Sequence, residues 1–94
     1  METQPSRIAV IGIIVEDPES VEKLNAILHD YSAYILGRMG IPYREKNMSI
    51  ISIVMDAPAN EISALSGKLG MLPNVSTKTV YSKVTASAQD GGKP

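Results

Sequence analysis

The side chains of this sequence with the most chemical capacity gather in and just before one stretch. Tyr34 to Lys46 reads YILGRMGIPYREK, and the chain's single histidine, His29, lies shortly before it. The stretch holds Tyr34, Arg38, Tyr43 and Arg44. A pair of guanidinium groups offers planar forks of donors that grip a carboxylate or phosphate. Arginine and tyrosine are also the favoured anchors of protein interfaces. His29 closes a helical segment, where its cation complements the helix dipole, a capping role that outweighs a ligand role. These five residues are the candidate ligand or interface positions, with subunit contact the stronger reading. Alternation along an extended chain puts Arg38 and Arg44 with Tyr34 on one face, and Met39, Ile41 and Tyr43 on the other.

No catalytic set accompanies them. No serine stands with a histidine and an acid at a recognised spacing, and no paired-carboxylate motif occurs. The sequence has no cysteine, which excludes disulfides, thiolate metal sites and a cysteine nucleophile on this chain. One imidazole does not make a nickel or zinc site by itself. No metal or other cofactor is therefore expected. Lys68 and Gly70 in SGKLG resemble a phosphate loop only superficially, because they sit at a helix C-terminus, the wrong end of the dipole for an anion.

The elements that must position these residues are legible from period and punctuation. RIAVIGIIV (Arg7–Val15) is apolar at odd and even positions alike and reads as a strand buried on both faces. Asp17 and Pro18 follow as an N-cap and a first-turn proline. Val21, Leu24, Leu28 and Tyr31 then repeat at helical spacing. The YILGRMGIPYR segment and Met48–Met55 flank the short polar connection EKN, as two strands of a hairpin do. Two glycines and a proline mark the first of these as an edge strand, with Gly37 and Gly40 at a bulge or close approach. Ile62, Leu65 and Leu69 form a second helical stripe that Gly70 stops, and VSTKTVYSKV reads as a half-exposed last strand.

The order β-α-β-β-α-β, with an echo between IIVEDPESVEKL and SIVMDAPANEISAL, predicts a split-βαβ, ferredoxin-like plait. The predicted class is α+β, an antiparallel four-stranded sheet with two helices on one face. Right-handed crossovers place strands one and three in the centre and strands two and four at the edges. The domain should span residues 7–84, between a flexible N-terminus (1–6) and a flexible tail (85–94, TASAQDGGKP). The longest apolar run, Ile8 to Val15, is too short to span a bilayer and its flanks lack the marks of a signal peptide. A cytoplasmic location without membrane contact is expected. The net charge of −1 offers no basic excess for nucleic acid, and the central strands lack the aromatics on which plait-type RNA-binding domains stack bases.

Such a plait leaves one sheet face to water, and the central strands do not suit that exposure. Whichever set of alternating residues faces the helices, the other leaves about six aliphatic side chains outside, each worth roughly 1.5–3 kcal/mol when buried. A patch of that size marks an interface. Both tails are polar, so self-association through the sheet, as a dimer or a tetramer, is the expected cover.

ILGRMGIPYRE, SALSGKLG and TKTVYSK, within a likeness that extends over Arg7–Lys83, closely resemble a family of small bacterial proteins regarded as regulators of the iron-only hydrogenase system. The resemblance implies an ACT-type ferredoxin-like domain similar to the ligand-binding half of nickel-responsive repressors. The paired histidines of those repressors would fall near Gly37 and Met39, so of their ligand set only His29 is present. Amino-acid-binding ACT domains carry Asp-Arg-Pro-Gly between first strand and first helix. Here EDPES keeps Asp17 and Pro18 but sets Glu19 after the proline, which disfavours a ligand carboxylate. The resemblance thus implies a non-enzymatic, homo-oligomeric regulatory module that binds a small effector or a protein partner. A small ferredoxin-like enzyme with its site at a subunit interface is the alternative.

Overall fold

In the computed structural model, which describes residues 5–83, the chain runs β1 (Ser6–Val15), α1 (Ser20–Asp30), β2 (Ile35–Tyr43), β3 (Met48–Pro58), α2 (Ala59–Gly70) and β4 (Val75–Tyr81). Short 3₁₀ turns precede β2 and link β2 to β3. The strands order as β2-β3-β1-β4, every neighbouring pair antiparallel. This is the expected α+β plait, with β1 and β3 central and β2 and β4 at the edges. No helix among the described residues is long and apolar enough to cross a membrane. Residues 1–4 and 84–94, which hold most of the two segments expected to be flexible, lie outside the described residues. Ser6 already belongs to β1, through its pairing with Pro58.

The core follows from strict alternation. Ala9, Ile11, Ile13 and Val15 of β1 and Ile51, Ile53, Met55 and Ala57 of β3 point to one side and are buried. Leu24 and Leu28 from α1, Tyr31 just after it, and Ile62, Leu65 and Leu69 from α2 close over them in a single cluster, so both helices cover the same sheet face. Tyr31 also receives the Lys68 ammonium 5.1 Å from its ring centroid, tying the two helices. Proximity of the Tyr31 hydroxyl raises the Lys68 pKa above the ordinary lysine value, so this cation persists through the physiological range. At the other end of the sheet, the Arg7 guanidinium lies 4.7 Å over the Tyr81 ring and donates to the Ser82 carbonyl at 2.7 Å.

Three local expectations need correction. Regular helix begins at Ser20, not at Pro18: the Asp17 carboxylate accepts the Glu19 amide (3.0 Å), and the Asp17 carbonyl accepts the Ser20 amide (2.9 Å). Asp17 thus caps a turn ahead of the helix. β3 outlasts its expected end at Met55, so the second Asp and Pro are not the counterpart of Asp17 and Pro18. Asp56, Ala57 and Pro58 continue β3, because β1 extends far enough to pair with each of them. Finally, Gly70 stays within α2. The left-handed residue that reverses the chain is Asn74 (φ 57°), whose carbonyl accepts the Glu16 amide at 2.8 Å.

Candidate functional site

The edge strand carries the candidate residues, and its irregularities decide where they point. A bulge between Ile35 and Gly37 leaves Leu36 unmatched in the ladder, so that Ile35 turns into the core while Gly37 pairs with Val54. From there the register is regular: Arg38 pairs with the buried Ile53, whereas Met39, Ile41 and Tyr43 pair with Ser52, Ile50 and Met48. Arg38 therefore stands on the helix side and the other three on the open side, as alternation implies. Arg44 differs from that expectation: it has left the strand for the 3₁₀ turn that ends at Asn47 in the left-handed region (φ 55°).

On the helix side, a trench runs between α1 and β2. Arg38 donates to the Asn25 side chain of α1 at 3.2 Å across it. That is its one polar side-chain contact among the described residues, so most of its five donors are uncommitted. His29 lies one helical turn beyond Asn25 and lines the same depression, about 370 Å³, together with Ser32 and Ile35. A middle depression bounded by Val21, Arg38, Pro42 and Ser49 continues it. The far end is bounded by Pro18, Val21, Tyr43, Arg44, Asn47 and Ser49.

The structure thus brings His29 and Arg38 together at one end and sets Arg44 at the other, which Tyr43 borders from a strand position that faces the open side. Tyr34 joins neither end, because it sits in the turn before β2 and packs half-buried against the core. The Tyr43 hydroxyl donates to Glu45 at 3.1 Å, which holds the tyrosine at the hairpin. Arranged this way, the trench offers a guanidinium at each end and an apolar middle, a surface suited to a small anion with an aliphatic part or to an extended acidic segment. Asn25, which the sequence reading passed over, is the residue that fixes Arg38. Its spacing of four from His29 places it beside that histidine on the helix surface.

The opposite face of the sheet is apolar. Ile14 and Ile50 are 41% and 40% exposed in the centre, and Met39 and Val80 reach 71% and 68% at the two edge strands. Ile8, Val10 and Ile41 are exposed on the same face. A family whose description reads "TM1266-like: Iron-only hydrogenase system regulator, putative" matches residues 7–79. The chain belongs to the TM1266-like family. A solved structure, that of uncharacterized protein TM1266 from Thermotoga maritima, is similar to this one with a TM-score of 0.80 and 40% sequence identity, over 83% of this chain and 99% of that one. No protein of curated function matches the chain. The matched span runs from the first residues of β1 into β4 and so includes both the trench and the open face.

Proposed function

We propose that this member of the TM1266-like family is an ACT-like regulatory module of the iron-only hydrogenase system that works by binding and not by catalysis. It assembles with itself through the open sheet face and takes a small effector or an acidic partner segment in the trench between α1 and β2. The observation that carries this reading is the apolar open face. Four strands at about 4.8 Å spacing, each about 25–35 Å long, make a patch of roughly 550 Å². Two such patches total about 1,100 Å², above the roughly 1,000 Å² that a specific interface needs. A single subunit has no described element to cover it.

The test is sedimentation velocity over a range of concentrations. The native chain should sediment as a dimer or larger, and Ile50→Glu should sediment as a folded subunit. A native chain that remains a lone subunit at hundreds of micromolar would sink the reading. Calorimetric titration with carboxylate and phosphate metabolites, against native protein and Arg38→Ala, addresses the trench. Binding that Arg38→Ala weakens at least tenfold supports an anionic effector there, and binding indifferent to Arg38 places the effector elsewhere.

A further inference from the structure

The open face is not uniformly greasy. Its residues lie in rows across the sheet, and the central row reads Met39 on β2, Ser52 on β3, Gly12 on β1 and Lys78 on β4. The rows on either side are bulky: Ile41, Ile50 and Ile14 on one, Val54, Val10 and Val80 on the other. Small residues between two ridges make a trough, and over Gly12 it opens into a depression of about 360 Å³ bordered by Ile14, Ile50, Ser52 and Lys78. The subunit itself does not require a glycine there. A Cβ at position 12 would meet only the Lys78 carbonyl oxygen, at an ordinary 3.9 Å. Glycine in a central strand is destabilising relative to alanine, so the missing side chain points to something that enters from outside.

Within the reading that the open face joins two copies, we infer that Met39 of each copy fills the trough over Gly12 of the other, about a two-fold axis that runs along β3. Rotation about such an axis stacks β3 on its own counterpart and β1 on β2 of the other copy. The row then closes on itself: Ser52 faces Ser52, and each Met39 faces a Gly12. The next row sets Val10 against Gly37 of the other copy, and Gly37 also has open space where a Cβ would stand. β4 falls beyond the overlap, so Lys78 keeps its ammonium in water and the three overlapping strands of each copy bury roughly 800 Å² in total, the size of a weak interface. The other parallel placements do worse. An axis midway between β3 and β1 opposes Gly12 to Ser52, leaving a void, and presses Lys78 onto Met39. An axis along β1 opposes Gly12 to Gly12 and Ser52 to Lys78. Interiors close-pack, and an isologous interface must be complementary to itself; of the three placements, the β3 axis alone seats Met39 over Gly12 and keeps Lys78 out of the contact, although it also brings Asp56 of the two copies together at one end of the seam.

Complementation tests this directly. Gly12→Leu fills the trough and Met39→Ala removes what enters it, so each should weaken dimerisation at least tenfold in sedimentation equilibrium. A mixture of the two variants should form a heterodimer within about threefold of native affinity. In it, the introduced leucine meets the introduced alanine at one contact, and the native Met39–Gly12 pair forms at the other. Circular dichroism reports whether Gly12→Leu folds, with Gly12→Val as the smaller replacement.

A second measurement does not depend on position 12. Ser52→Cys introduces the chain's sole thiol, so a short bismaleimide should link two copies of it while leaving Lys78→Cys unlinked. Failure of the mixture to recover affinity, or linkage at Lys78 in place of Ser52, overturns this register. If Ile50→Glu still dissociates the dimer in that case, the face-to-face assembly stands and only the register is wrong. A native chain that never dimerises removes both.

Discussion

Ser20 occupies a site where no oxygen would be placed without a purpose. It is fully buried at the start of α1, and its hydroxyl donates to the Pro73 carbonyl at 2.8 Å, joining the first helix to the turn before β4. Removing the donor leaves a carbonyl short of its partner, so Ser20→Ala should lower stability by about 1–2 kcal/mol in urea denaturation. Asp56 is the opposite case. One of its carboxylate oxygens is buried without a hydrogen bond, in a strand where a branched apolar side chain fits beside Ile8. Asp56→Val should therefore raise stability, by up to about 1 kcal/mol. No change, or a loss, would mean that the carboxylate has a partner in the working assembly. Neither residue was legible in the sequence. Ser20 looks like one more polar residue at a helix start, and Asp56 looks like a repeat of Asp17. What separates them is pairing partners distant along the chain: Pro73 for Ser20, and the length of β1 for Asp56.

The elements were far easier to read than their ends. Two-sided apolar runs gave β1 and β3, stripes at helical spacing gave α1 and α2, and the glycines and proline gave β2 its place at the edge. The bulge at Ile35–Gly37 escaped, since strict alternation does not reveal where a strand gains a residue. So did the role of the glycines. Neither Gly37 nor Gly40 is pressed by its own subunit: a Cβ at Gly37 meets nothing within 4 Å, and one at Gly40 meets Ile51 at 3.9 Å. In protein diluted below its association midpoint, Gly37→Ala and Gly40→Ala should each stabilise the fold by about 0.4–1 kcal/mol, because alanine restricts the unfolded chain. A loss of stability in thermal melts of the dilute subunit would show that β2 needs its glycines for folding itself.

Across the whole molecule, the two sides of one sheet have different work. The helix side stores stability in a single aliphatic cluster, while the open side and the edge strand present what a second molecule can touch. The greasy outer face was legible because both central strands lack the alternation a half-wet sheet requires. The trench was legible only as a set of residues, because its walls come from α1 and β2, whose juxtaposition is set by how the helix packs on the sheet. The sheet holds one more consequence. β1 starts beside the place where β4 stops, with the Ser82 amide bonded to the Ile8 carbonyl at 2.8 Å and Arg7 stacked on Tyr81. A circular permutant that joins these neighbouring points by a short glycine–serine linker and opens the chain at Glu45–Lys46 should keep the native circular dichroism spectrum and melt cooperatively. In the native order the described chain enters and leaves the sheet at this one corner, on the far side of the sheet from β2, whereas the permutant moves both ends to the hairpin beside Arg44.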